Sequence, residues 1–404
     1  MNFLKKLVKN EAVQSILSSI ISILIGVLVG FIAMLIITFI NEGNSVSDAV
    51  KGVKIILEGP FSSTVKKYML TNTGNMLFYA VPLIFTGLSV AIAYKTGLFN
   101  IGAPGQYIMG TIGALYVALS IETTSTAGAV GVWALALLTG TLCGAIWGTI
   151  PGLLKAFFNI NEVIVCIMTN WTAANLSSWF FKYQTAIQSQ ENTKGGYLAK
   201  PVLNHTPKLG FDKLFPDSLL DAGLVIAIIV AIIIYIVLNK TTFGFELKAC
   251  GSNKDAAKYA GLNEKRNIIL SIAIAGALAG MGASLYYLNP GIEYRFVSQY
   301  SGLPAYGFNG IASAFLANCN PIGVIFSSVF IRFLNMGGDY LVKVGFNRYV
   351  ADIVVAVIIY MAGFTRIIRE WLNGRLSKNK PEKDIRDTVT TSKETTVKEE
   401  VNNG

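Results

Sequence analysis

Apolar runs about as long as a helix needs to cross the hydrocarbon core of a bilayer recur along almost the whole chain, separated by short polar stretches. On that measure the spans fall near residues 15–40, 75–94, 98–120, 127–153, 161–181, 219–239, 267–288, 303–318, 321–336 and 349–369. Lipid offers no partner to an exposed peptide group, so segments of this kind are helical. The pattern predicts an all-α integral membrane protein with about ten transmembrane helices. Composition agrees, with 53% hydrophobic and 14% charged residues where soluble domains carry about 25% charged. The eighth and ninth segments are short and interrupted by Gly or Pro, so they read as short broken helices, and one of them could be re-entrant.

The formal charge of +10 sits mainly between apolar runs and in the tail. Basic residues that flank spans set membrane orientation. No basic patch is interleaved with aromatics, so nucleic acid is not an expected partner. Lys240, Lys248, Lys254, Lys258, Lys265 and Arg266 crowd one loop, which places that loop in the cytoplasm together with both termini. Residues 15–40 follow Lys5, Lys6 and Lys9 in the manner of a signal peptide, but the run is longer than the usual 7–15 or so and lacks a small-residue cleavage site. It reads as a retained span.

The expected organisation is a cytoplasmic N-terminus with an extra first helix at 1–41, an extracellular loop at 42–74, a transmembrane domain at 75–372 that includes the basic loop 243–266, and a tail at 373–404. The tail is too polar to offset its ordering entropy and is expected to be disordered.

Several chemistries are poorly supplied. Cys143, Cys166 and Cys319 lie in or beside apolar runs and Cys250 in the basic loop, without metal-ligand spacing; His205 is the only histidine. No metal site, resident cofactor or nucleophile–base constellation is expected, so the chain does not read as an enzyme. There is no Gly-x4-Gly-Lys-Ser/Thr run, so any ATP would be bound elsewhere. The stretch Ala275-Gly-Ala-Leu-Ala-Gly-Met-Gly-Ala283 reads as a close helix–helix contact, because small residues let backbones approach.

Polar groups inside spans are costly and call for a partner or a purpose. Glu162 opens the fifth span, where it either caps and is solvated or lines a path; Asn170 and Trp171 follow two turns later. Asn100 and Gln106 bracket Gly102 and Gly105, and Pro104 between them should break the third helix. Freed backbone groups there need protein or a wet cavity. Asn309, beside Phe308 in the eighth span, has the same two readings. Gly97-Leu-Phe-Asn-Ile-Gly102 and Gly307-Phe-Asn-Gly-Ile-Ala312 echo each other, as paired broken segments of duplicated repeats do. In the basic loop, Ser252 or Asn253 can cap a short helix with Asp255 in its first turn and Gly261 at its end.

These residues resemble a known family. Gly97-Leu-Phe-Asn-Ile-Gly-Ala-Pro-Gly-Gln106, Asn161-Glu-Val-Ile164, Leu247-Lys-Ala-Cys-Gly-Ser-Asn-Lys-Asp-Ala-Ala257, Tyr259-Ala-Gly261, Tyr306-Gly-Phe-Asn-Gly-Ile-Ala-Ser313 and Asn320-Pro-Ile-Gly323 look like ABC-transporter permeases of the sugar/branched-chain amino-acid type, above all the bacterial nucleoside importers. The resemblance implies a nucleoside importer of the bacterial plasma membrane in which this chain pairs with a second, dissimilar permease. Its other implied partners are cytoplasmic subunits that bind ATP and Mg, an extracellular substrate-binding lipoprotein and membrane lipid. The resemblance fits the paired broken segments to two inverted repeats, while the polar and aromatic residues read above, Asn100, Gln106, Glu162, Asn170, Trp171, Phe308 and Asn309, are the candidates for the substrate pathway. It also makes Gly251, Asn253, Ala256, Ala257 and Gly261 the segment that couples to the ATPase. The sequence departs from the group at Pro104, where Glu is commoner, so one carboxylate is missing from the pathway. Ribose-like sugars or branched-chain amino acids are the alternative solutes. An ion-coupled secondary transporter is the alternative class, for which Glu162 is the one good coupling carboxylate.

Overall fold

The structure, a computed structural model, describes residues 11–40, 45–189, 196–296 and 302–362, together with 364 and 367. Its helices are α1 (Glu11–Ile40), α2 (Val46–Glu58), α3 (Lys66–Lys95), α4 (Ala103–Ser120), α5 (Thr126–Phe158), α6 (Glu162–Tyr183), α7 (Gly223–Lys240), α8 (Thr242–Ser252), α9 (Lys254–Tyr259), α10 (Glu264–Tyr287), α11 (Ala305–Leu316), α12 (Pro321–Asp339) and α13 (Arg348–Ala362). Among the described residues extended pairing is limited to isolated bridges, Gln188 with Leu198 and Tyr197 with Arg295. A helix occupies each apolar stretch picked out above. Among the described residues, five segments are long and apolar enough to cross a membrane by length and composition: α3, α5, α7, α10 and the stretch Pro321–Val344 that contains α12. The chain is an all-α, multi-pass membrane protein.

Helix starts follow from local chemistry. Ser125, Asn161, Thr241, Asn253, Asn263 and Asn320 each accept a hydrogen bond from an N–H of the first turn of the helix that follows. That satisfies donors which the helix cannot satisfy itself. Asn204 does the converse at the end of α4, donating to the carbonyls of Ala118 and Ile121, each at 2.8 Å.

Two sequence expectations change. The stretch 42–74, expected as a loop, carries α2 and the first turns of α3. Ser45 and Asp48 form a reciprocal capping box at the start of α2, and the Ser45 hydroxyl and N–H hold the Asp48 carboxyl below its ordinary range. Ala49, Gly52 and Ile56 form the buried face of α2. Pro104, expected to break a helix, instead lies in the first turn of α4, where a missing N–H is one that no intrahelical bond would have used. The tail, 373–404, lies outside the described residues.

The core is built around α3, whose apolar window is 89% buried, against 17% for α5. It packs on α10, α11 and α12. The tightest contact is between α5 and α10. Gly140, Gly144, Gly148 and Gly152 recur every fourth residue along α5 and meet the backbone of α10 from Ile269 to Gly280 and the Ser284 side chain. Where lipid is the solvent there is no hydrophobic drive between helices, so such backbone contact supplies the attraction. The glycine-rich stretch 275–283 thus serves as the contact its composition predicts. A second cluster, including Met34, Ala49, Ile56, Leu334, Leu341 and Phe346, joins α1 and α2 to α12 and α13. The start of α7 is tied to the end of α10 by Asn289, whose Nδ2 donates to Asp221 Oδ2 at 2.7 Å.

A Cβ at Gly276 would collide with the Gly144 backbone, whereas one at the exposed Gly131 meets nothing within 4 Å. Gly276→Leu is therefore expected to cost about 1–3 kcal/mol or more through overpacking and to lower the detergent melting temperature sharply. Gly131→Leu should leave it nearly unchanged.

Candidate functional site

The segment 97–106 leaves α3 and enters α4 through a non-helical stretch at 98–102. Leu98 N–H still bonds the Ala93 carbonyl of α3, and the Gly102 carbonyl accepts from Gln106 N–H of α4; amide side chains satisfy other backbone groups of the turn. Asn100 Oδ1 accepts from Gly102 N–H at 3.2 Å. From α6, Asn170 Oδ1 accepts from Gly105 N–H at 2.8 Å while its Nδ2 donates to the Ile101 carbonyl at 2.9 Å. Asn100 and Gln106 bond each other in both directions, at 2.9 and 3.1 Å, and Asn100 also donates to Ser89 Oγ on α3. Asn100, Gln106 and Asn170 are all buried. Three of the candidate pathway residues are thus brought together into one closed network.

The other candidates lie around it. Glycines allow two helices to touch the first turn of α4: Gly105 sits against Asn170 of α6, and Gly307 of α11 sits against Pro104. Just beyond these contacts, Trp171 follows Asn170 and is exposed on α6, and Phe308 and Asn309 follow Gly307 and are exposed on α11. Glu162 is set apart. It lies in the first turn of α6 and accepts a salt bridge from Lys155 of α5 at 2.9 Å, with both side chains only 16% exposed. A carboxylate there also meets the positive end of the helix dipole.

The segment expected to couple to the ATPase forms two short helices, α8 and α9. Asn253, one of two expected caps, accepts from Ala256 N–H at 3.0 Å and starts α9. Gly261 takes φ +80° just past its end, where a left-handed residue favours glycine. Ala257 is buried, while Ala256 is exposed and Tyr259 stands out with 94% of its surface free. Gly251 is pressed on the backbone of Lys95, Thr96 and Gly97, and Gly97 itself has φ +74°. A side chain at either glycine would separate the segment from the α3–α4 break.

Sequence reasoning missed Arg332. It lies in α12 with its guanidinium carbon 4.9 Å from the Tyr79 ring centroid, and among the described residues its buried Nε lacks a hydrogen-bond partner. A single Arg inside the apolar run from Val324 to Leu334 was the available signal. Sequence reasoning also missed the contact between Gly97 and Gly251, which no local pattern announces.

Residues 72–363 match the family described as "Branched-chain amino acid transport system / permease component". The chain is 32% identical to the guanosine ABC transporter permease protein NupP of Bacillus subtilis (strain 168), over 76% of this chain and 84% of that one. It is 37% identical to the nucleoside ABC transporter permease protein NupB of Lactococcus lactis subsp. cremoris, over 72% and 79%. Similarity extends to the glucose ABC transporter permease protein TsgB13 of Haloferax volcanii, 31% identical over 70% and 74%. No solved structure matches the chain.

Asn170→Ala would orphan a buried N–H and a buried carbonyl, at about 1–3 kcal/mol each. A correspondingly large fall in thermal stability of the detergent-solubilised chain is expected. Asn175→Ala, which removes only an exposed bond to the Trp171 carbonyl, should stay within about 0.5 kcal/mol.

Proposed function

The chain belongs to the branched-chain amino acid transport system permease family, and on that premise we propose that it is the transmembrane subunit of an ATP-driven nucleoside importer. The two nucleoside-type relatives, a guanosine and a nucleoside permease, carry the choice of solute. The glucose permease among the relatives keeps a sugar as the second reading. In this reading ATP and Mg are bound and ATP is hydrolysed on separate cytoplasmic subunits, an extracellular binding protein delivers the solute, and a second, dissimilar permease completes the pathway. The basic loop holding α8 and α9 faces the cytoplasm of a bacterial cell, as do both termini. The ten helices span the membrane as two inverted halves, with α4 and α11 opening the broken segment of each.

The packing of Gly251 against Gly97 supports the mechanism most directly. A push on the α8–α9 segment reaches the α3–α4 break through backbone contact, without a flexible side chain between. The break in turn is bonded to α6 and touches α11, the helices that carry Trp171, Phe308 and Asn309. Alternating access then tilts these helices around the closed amide network. Asn100, Gln106 and Asn170 hold the wall in shape, and the exposed aromatic and amide groups meet the solute. Glu162 pins α6 to α5 through Lys155 at one edge of that wall.

The direct test is uptake of labelled uridine and adenosine in cells with and without the chain, with unlabelled ribose as competitor. Loss of nucleoside uptake on deletion without ribose competition is the expected result; unchanged uptake would move the solute to the sugar or amino-acid branch. Tyr259→Asp at the exposed tip of α9 should weaken ATPase docking by about 2 kcal/mol or more, near thirtyfold. Substrate-stimulated ATP hydrolysis that survives this change unaltered would remove Tyr259 from the docking surface.

A further inference from the structure

On the side of the amide network away from the coupling segment, a cavity of about 180 Å³ lies between α4, the end of α10 and the residues that lead into α11. Tyr107, Thr111, Tyr287, Tyr294, Arg295 and Leu303 are among the residues that line it. Most of its polar groups are already engaged. Tyr294 shares a hydrogen bond with Ser177 Oγ of α6 at 2.7 Å, and the Thr111 hydroxyl returns to the Tyr107 carbonyl at 3.0 Å. Arg295, exposed at the rim, stands over the Tyr197 ring at 5.5 Å. Tyr107 is the exception: it is fully buried and, among the described residues, its hydroxyl has no hydrogen-bond partner.

A phenylalanine would fill the same space without burying an unpaired hydroxyl, and buried polar groups are normally satisfied. The ring itself is well placed for packing, 6.3 Å from both Tyr287 and Tyr306. The hydroxyl alone therefore lacks a structural account. A partner that is present only part of the time supplies one.

We propose that this cavity binds the flat heteroaromatic half of the solute on its way through, with the tyrosine rings as stacking surface and the Tyr107 hydroxyl as the hydrogen bond that reads the ring. The proposal rests on the nucleoside reading above. The volume is below the roughly 300–1,000 Å³ of a whole drug-sized site, so it takes one ring system and leaves the sugar at the rim near Arg295. Stacking on an aromatic platform is sequence-tolerant because every base has a π-face, which suits a permease that leaves most discrimination to another subunit. The site also adjoins the moving parts. Tyr107 follows Gln106 of the closed network, and Tyr306 precedes Gly307 where α11 meets Pro104.

Tyr107→Phe separates the two roles of the residue. In cells that express the whole importer, initial uptake of labelled guanosine and uridine is expected to fall about three- to tenfold, the range for losing one neutral hydrogen bond. The melting temperature of the purified complex should stay the same or rise, since an orphaned hydroxyl is gone. Wild-type uptake with an equal or higher melting temperature would overturn the proposal and leave the hydroxyl as a packing feature. Should Y107F fail to reach the membrane, Thr111→Val and Arg295→Gln are measured in its place, and uptake equal to wild type in both overturns it as well. A wild-type importer that carries no nucleoside would take down the importer reading and this inference together, whereas normal wild-type uptake with unaffected variants sinks the inference alone.

Discussion

The structure depends on how the chain satisfies its backbone where α3 stops being a helix and α4 has not yet begun. Over residues 98–102 the helical ladder is interrupted, and the Gly102 N–H and the Ile101 carbonyl take side-chain partners where lipid would offer none. Asn100 accepts from Gly102 N–H, Asn170 bonds both Gly105 N–H and the Ile101 carbonyl, and Gln106 holds Asn100 in place through two bonds between their amides. Because Asn170 comes from α6, the bonds that stabilise the break also fix α6 to α4. Because Gly105 and Gly307 have no side chains, α6 and α11 can both reach the same turn. One local deficit thereby sets the relative position of three helices.

Two other devices extend that control. The glycine stripe of α5 holds it to α10 at backbone distance, so these helices act as one rigid unit against which α4 is seated. The contact between Gly97 and Gly251 carries the break to the edge of the protein. In water such contacts would be minor beside the burial of apolar surface. In a membrane, apolar surface is no better off between helices than against lipid, so close packing and hydrogen bonds decide the arrangement.

The sequence made much of this legible, for reasons that also mark its limit. Apolar length announces helices in lipid, and among the described residues a helix lies within each expected stretch. The cap at Asn253 and the turn at Gly261 are local, and local chemistry predicted both. The small residues of 275–283 foretold a close contact, though not that α5 would be the partner. What failed to show was direction. Helices that are apolar all round carry no stripe, so nothing distinguishes the buried Asn170 from its exposed neighbour Trp171. The α2 helix was hidden differently, since Ala49, Gly52 and Ile56 mark a buried face too short to register as a span. Arg332 was visible as a charge in an apolar run, but its place over Tyr79 is a tertiary fact.

The closed state of the amide network also bears on where a solute can pass. A network whose donors and acceptors are paired internally gains nothing by opening toward a ligand, and breaking it would expose buried groups at a cost of about 1–3 kcal/mol each. A transport cycle that opened it on every turn would meet that cost each time. A solute is better served by groups that lie outside the network, which are the exposed Trp171, Phe308 and Asn309 and, deeper in, the unpaired Tyr107 hydroxyl. Trp171, Phe308 and Asn309 lie on helix faces that no described residue of this chain covers, so in the proposed reading they form one wall of a passage that a second subunit would complete. The asymmetry of exposure between the amides and the aromatics is thus the physical form that a half-pathway would take.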